Sequence, residues 1–187
     1  MILLKIITEN SFLQELADNN IELNSINILL VEALKEKNLK IATAESCTGG
    51  MISQKITDVS GASAVFDCGV CSYANHIKEN LLGVEKSALE SFGAVSPQVA
   101  VQMACGVKKL GKADIGISTT GIAGPNGGTT EKPVGLVYIG VSAENQEYTI
   151  KALLSQDKKN DRNSVRQLAV AVAMYFAYKT ITADNTI

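Results

Sequence analysis

Short apolar runs alternate with segments of helical periodicity along most of this chain, and that alternation restricts the fold more than any other feature. Ser25 can cap a helix whose apolar face runs through Ile26, Leu29, Leu30, Ala33 and Leu34, ending near Asn38. The run LKIAT (39–43) reads as a short buried strand. A helix from about Thr48 to Thr57, the turn DVSGAS and a second strand over 67–73 follow. NHIKENLLG (75–83) forms a short helix stopped by Gly83. In SPQVAVQMACGVKKLG, Ser96 caps a helix, Pro97 takes its first position and Gly111 ends it. ADIGISTT (113–120) is a strand, while VGLVYIGVSA and EYTIKALLS are neighbouring strands joined through Glu144, Asn145 and Gln146. A long helix from about Asp161 to Ile181 closes the chain. Strands alternating with helices predict a layered α/β domain. The two adjacent strands after residue 133 make the sheet mixed, with an antiparallel hairpin at or near one edge. The expected architecture is α/β: a single-domain, three-layer αβα sandwich around a mixed sheet.

The chain's 187 residues suffice for one full-sized core and are too few to expect two. A formal charge of −2 provides no general field to attract nucleic acid or an anionic membrane. The start, MILLKIITEN, is a poor signal peptide, with too short an apolar stretch and no small-residue cleavage pattern. The longest apolar run, Leu168 to Tyr178, has 11 residues, well short of a membrane span. These features predict a cytoplasmic protein with no direct nucleic-acid or membrane partner. Its expected organisation is an amino-terminal extension of unassigned role over 1–22 and one domain over 23–187. An exposed apolar face on that extension would favour a homo-oligomer.

Four cysteines, Cys47, Cys68, Cys71 and Cys105, raise the question of a metal or a disulfide. Cys68 and Cys71 form a C-x-x-C within a predicted strand, where an offset of three sends side chains to opposite faces. A zinc site would need a second well-spaced pair, and His76 is the only histidine. All four are expected to be buried free thiols, with no metal and no cofactor.

In open α/β sheets, sites gather at the loops leaving the carboxyl ends of strands. Three such loops, 44–50, 73–78 and 120–133, hold most of the chemically capable residues. The first, within IATAESCTGG, places Ser46 and Cys47 on a glycine turn, like a nucleophile elbow without its G-x-S-x-G pattern. Main-chain N–H groups at such a turn can hold an oxyanion. On local pattern alone, Ser46 or Thr48 reads first as a helix cap. A nucleophilic serine needs a base, and His76 and Lys78 lie two residues apart on one short helix, so they point in different directions. Lys78 can serve if burial lowers its pKa from about 10.4 toward neutrality, and Ser–Lys pairs are known variants of the triad logic.

Taken together, TAESCTGG (43–50), YANHIKENLLGV (73–84), GAVSPQVAVQMA (93–104) and TTGIAGPNGGTTEKPVG (119–135) resemble the carboxy-terminal domain of the CinA family. The resemblance covers roughly residues 25 to 180, in order and spacing. It implies a nicotinamide-nucleotide amidase that hydrolyses nicotinamide mononucleotide to nicotinate mononucleotide and ammonia. The family's serine falls on Ser46, its tyrosine on Tyr73 and its lysine on Lys78; it also implies roles for Thr120 and for an arginine at the start of the last helix, here Arg162. The stretch QDKKNDR replaces a glycine-aspartate-arginine pattern, and residues 1–22 match nothing in the family. The amino-terminal domain of longer CinA proteins, with any metal-dependent pyrophosphatase activity, is expected to be absent.

On this reading neutral Lys78 takes the proton of Ser46 as it attacks the carboxamide. Tyr73 hydrogen-bonds within the pair, and main-chain N–H groups from Cys47 to Gly50 hold the oxyanion. Glu45 chiefly orients the turn, with direct contact to the substrate as the lesser alternative, and Thr48, Gly49 and Gly50 line it. Gly121, Gly124, Gly127 and Gly128 on the glycine-rich loop, together with Arg162, are expected to meet the substrate phosphate, with Arg166 as the alternative to Arg162. Thr120 is expected to bind substrate, as the resemblance implies. Two rival readings stand beside this one. One makes Cys47 the nucleophile. The other is a non-catalytic nucleotide-binding or regulatory module.

Overall fold

The computed structural model describes residues 3–144, 146–154 and 161–183. Asn145, in the expected hairpin connection, and most of QDKKNDR lie outside the described residues. Six strands form one sheet: β1 (Leu3–Thr8), β2 (Ile41–Glu45), β3 (Phe66–Cys71), β4 (Ile115–Gly121), β5 (Leu136–Ser142) and β6 (Glu147–Leu153). Their order across the sheet is β1-β6-β5-β4-β2-β3. β1 pairs with β6, and β2 with both β3 and β4, in parallel; β5 is antiparallel to both its neighbours. Only β5 therefore runs against the other five. The helices are α1 (Glu9–Asp18), α2 (Ile26–Glu36), α3 (Met51–Thr57), α4 (Asn75–Leu82), α5 (Lys86–Phe92), α6 (Pro97–Gly111) and α7 (Arg162–Thr182). The helices α4, α5 and α6 cover one face of the sheet; α1, α2, α3 and α7 cover the other. The result is the mixed-sheet αβα sandwich expected from the alternation.

Side-chain alternation along β2 decides which layer each residue meets. Ala42 and Ala44 pack toward α6 with Val99, Met103 and Val107, whereas Ile41 joins the core beneath α7. Gly116 and Gly140 let α6 lie close on the sheet: a Cβ on Gly140 would stand 2.2 Å from the Ala100 carbonyl oxygen, and one on Gly116 2.1 Å from that of Ala104. The apolar run in α7 is buried almost all round, between the sheet and the helices of its layer. Among the described residues no helix is long and apolar enough to cross a membrane.

Residues 1–22 are more than an extension. Their described part adds the edge strand β1 and then α1, which Thr8 and Ser11 cap reciprocally at 3.1 and 2.9 Å. The β5–β6 hairpin lies near one edge as expected, with β1 as the edge beside it. Phe12 and Leu16 enter the core, with the Phe12 ring edge-on to Tyr175 at 5.6 Å. Lys179 Nζ donates to Glu15 at 2.7 Å, and Lys5 lies over the Phe176 ring at 4.5 Å. Leu3 and Ile6 remain 71% and 62% exposed on the free edge. Phe12→Ala should therefore lower unfolding free energy by about 3–5 kcal/mol. Leu13→Ala on the exposed side should stay within about 0.5 kcal/mol of the parent, both read from urea midpoints. Equal effects from the two would show that the segment does not share the core.

Candidate active site

The carboxyl ends of β2, β3 and β4 lie side by side, since Glu45 is in register with Cys71 on one strand and Thr119 on the other. Glu45 ends β2 on the α3 side, fully buried. Its carboxylate accepts from Thr48 Oγ1 at 2.7 Å, from the N–H groups of Gly50, Ile52 and Ser53 at 3.0, 3.0 and 2.9 Å, and from Ser53 Oγ at 2.9 Å. Five donors around one buried carboxylate satisfy its charge and tie the turn to the first residues of α3. Gly49 and Gly50 adopt φ of +63° and +98°, which turns the chain before the helix can begin. For that reason α3 starts at Met51 rather than at Thr48.

A second clamp comes from α7. Arg166 donates through Nε to the Cys47 carbonyl at 3.2 Å and through Nη2 to that of Thr48 at 2.8 Å. Arg166, expected only as an alternative phosphate ligand, has its guanidinium committed to the turn. The available signal was its spacing four residues after Arg162, which puts both on one helix face. Thr48 is buried and shares a 2.7 Å hydrogen bond with Thr119, whose carbonyl accepts from Ser46 N–H at 3.0 Å. With the Gly50 N–H given to Glu45, the oxyanion donors expected over Cys47–Gly50 narrow to those of Cys47, Thr48 and Gly49.

Ser46 is half-buried and faces α4. Lys78 Nζ lies 3.2 Å from Ser46 Oγ and donates to the main-chain carbonyls of Ser72 at 2.7 Å and Tyr73 at 3.2 Å. The lysine is only 1% exposed, and burial holds its pKa below the ordinary 10.5. An opposing pull from a Cys47 thiolate is missing near neutral pH, because burial pushes that thiol up to about 12. A neutral amine has two hydrogens and one lone pair. In that form the two carbonyls would take the hydrogens and the lone pair would face the Ser46 hydroxyl; in the ammonium form the third hydrogen points to Ser46 Oγ. His76, on the same helix, is exposed and outside this pair.

The Tyr73 hydroxyl is not within the pair, contrary to expectation. Its side chain is 67% exposed as the chain leaves β3, and only its main-chain carbonyl meets Lys78. Arg162 instead reaches the Tyr73 hydroxyl with Nη2 at 3.4 Å and donates through Nη1 to the Gly124 carbonyl at 2.7 Å. Tyr73, Arg162 and the glycine-rich loop thus form a second cluster beside the first. Thr120 is buried and donates to the Ala94 carbonyl at 2.8 Å. Gly121 closes β4 beside Val137, while Gly127 and Gly128 stand on the exposed outer part of the loop.

Of the four free thiols only Cys47 is buried; Cys68 and Cys105 are half-buried and Cys71 is exposed. β3 is an edge strand, so its alternate residues face solvent. Cys68 packs against Gly111 and Ala42 on one side of the sheet, and Cys71 lies by Gly50 on the other. A thiol held protonated to about 12 is the opposite of an activated nucleophile. Among the described residues, no group of three or more His, Cys, Asp or Glu side chains is placed to hold a metal.

The description of the CinA C-terminal domain matches residues 23–181. The chain belongs to the CinA family. A relative from a Thermoanaerobacter species, whose name refers to competence-damage induction, is 57% identical over 134 residues, 72% of this chain and 32% of that protein. The CinA-like protein of Fusobacterium nucleatum is 49% identical over 149 residues, 80% of this chain and 35% of its own. The chain thus spans about a third of the length of these curated CinA relatives. Among solved structures, the competence/damage inducible protein of Agrobacterium tumefaciens superposes with a TM-score of 0.78 at 37% identity, over 82% of this chain and 92% of that one. The CinA superfamily protein of Enterobacter cloacae gives 0.80 at 28%, over 87% and 94%. The mixed α/β sandwich is the CinA fold.

Proposed function

We propose that this CinA domain is a cytoplasmic amidohydrolase that converts nicotinamide mononucleotide to nicotinate mononucleotide and ammonia through an acyl-serine. The observation that carries the reading is the contact of a fully buried lysine, its pKa lowered by burial, with the hydroxyl of a half-buried serine on a glycine turn. Lys78 takes the Ser46 proton as Oγ attacks the carboxamide carbon. The turn's N–H groups receive the oxyanion, and ammonia departs with the proton that Lys78 carried. Water then hydrolyses the ester with Lys78 again as base. Glu45 and Arg166 keep the turn in place from its two sides. Arg162, at the loop, offers a planar pair of donors to the substrate phosphate.

Ammonia release from nicotinamide mononucleotide, measured with a chelator present, tests the reading. One ammonia per nicotinate mononucleotide is expected, and no release from the wild-type protein refutes it. The phosphate contact is separable from the chemistry. Arg162→Ala should lower kcat/KM on the mononucleotide by about 10- to 150-fold, the value of a charge-assisted contact. It should change any residual use of the riboside, which lacks phosphate, by less than about threefold. Equal losses on both substrates would assign Arg162 to holding Gly124 and Tyr73 instead.

A further inference from the structure

Among the described residues, Ser72 Oγ is the buried side-chain polar atom that has no hydrogen-bond partner. The residue itself is tightly held. Its N–H donates to the Glu45 carbonyl at 2.8 Å, and its own carbonyl receives Lys78 Nζ at 2.7 Å. It is therefore pinned between the residue before the nucleophile and the base.

The sheet register gives the face of the sheet on which Ser72 stands. Cys68 and Val70 on β3 pack on the α6 side, as do Ala42 and Ala44 on β2. Continuing both strands with their observed register puts Ser72 beside Ser46 on that same side, where α4 brings Lys78. Adjacent strands lie about 4.8 Å apart, so Ser72 stands one strand spacing from Ser46 on the side from which Lys78 approaches, with Ser72 Oγ making no hydrogen bond to Nζ at rest. A sealed hydroxyl without a partner is unfavourable in the resting protein, and an alanine at this position would avoid that cost.

We propose that Ser72 is a positioning residue for Lys78, a hydrogen-bond acceptor held in reserve for its ammonium form. The inference rests on the acyl-serine reading. In the resting pair, neutral Lys78 engages two carbonyls and the Ser46 hydroxyl, and Ser72 Oγ is unused. When Ser46 attacks, its proton moves to Nζ, the Oγ–C bond forms, and the carbonyl π pair moves onto the substrate oxygen. Oγ is then bonded to carbon and a weaker acceptor. The third ammonium hydrogen turns to Ser72 Oγ until the amide nitrogen takes that proton, the C–N bond breaks with its electron pair on nitrogen, and ammonia leaves. A contact made only after proton transfer lowers the barrier without tightening substrate binding.

The test uses two pairs of residues matched in shape, Ser/Ala and Thr/Val, at position 72 of the whole chain. Ser72→Ala should lower kcat on nicotinamide mononucleotide by about 10- to 150-fold, the range for a hydrogen bond to a charged group, with KM nearly unchanged. It should also move the rising limb of the pH–rate profile to lower pH, because removing an acceptor disfavours the ammonium. Its thermal midpoint should not fall. Ser72→Thr should keep more activity than Ser72→Val, which has the same shape without the hydroxyl. Wild-type kcat with an unshifted profile in Ser72→Ala overturns the proposal. So does equal loss in Thr and Val, which would mean that only size matters. A wild-type protein that releases no ammonia overturns the acyl-serine reading itself, and that result is known before any variant is made.

Discussion

Ser46→Ala is expected to abolish turnover of nicotinamide mononucleotide, by about four orders of magnitude or more, while Cys47→Ala keeps activity within about tenfold. The contrast follows from two neighbouring side chains with opposite surroundings. Ser46 Oγ is half-open and 3.2 Å from an amine. The Cys47 thiol is buried, and its pKa is pushed up to about 12. Only the main-chain N–H and carbonyl of Cys47 are needed, the first as a candidate oxyanion donor and the second to accept from Arg166. Thiol alkylation should accordingly inhibit weakly. The reverse ranking of the two variants would make Cys47 the nucleophile.

Lys78→Met should cost about as much as Ser46→Ala, and the double variant should be no worse than either, because the two act as a unit. Activity in the wild type should rise with pH through the pKa of Lys78, below 10.5, since the neutral amine is the base. Stability should rise with pH as well, over a window that begins at the same lowered pKa. Between the lowered folded pKa and the ordinary unfolded one, the unfolded chain binds more protons at this position, so stability rises with pH across that window. Below the folded pKa the buried lysine must carry its charge or the chain must unfold. Lys78→Met removes that burden, so its thermal midpoint should exceed the wild type's at neutral pH and the rise with pH should flatten. A lower midpoint for Lys78→Met would mean that the lysine's bonds to Ser72 and Tyr73 outweigh its desolvation. His76→Ala should be mild in both respects, as an exposed side chain outside the pair.

Ser46 and Lys78 were legible as candidates because each sits on a local signal: a glycine turn after an apolar strand, and a short helix stopped by Gly83. Pairing Ser46 with Lys78 across 32 residues came from a serine's need for a base and from the family resemblance; the parallel β2–β3 register is what brings them together in space. The Tyr73 error has a different origin. Residue type marked it as capable chemistry, but the direction of a side chain just past a strand end depends on how the chain leaves the sheet, which no local pattern encodes. The same holds for Arg166, whose partners are main-chain carbonyls that any residue supplies. LLKIIT was unreadable as a strand because only Ile7 is buried and the alternation is missing; β6 supplies its partner from the far end of the chain. α5 was overlooked because KSALESF is only seven residues long, buries Ala88 alone and has no side-chain cap.

The covalent intermediate is the central claim, and partitioning with hydroxylamine tests it most directly. Nicotinamide mononucleotide and the para-nitrophenyl ester of nicotinate mononucleotide differ only in the group that leaves. If both acylate Ser46, they give the same acyl-enzyme, and the ratio of hydroxamate to nicotinate mononucleotide at a fixed hydroxylamine concentration must be the same for the two. That equality is the predicted result. A ratio that changes with the leaving group, or hydrolysis of the amide with no hydroxamate while the ester yields it, would show that water attacks the carboxamide directly and that no acyl-Ser46 lies on the path.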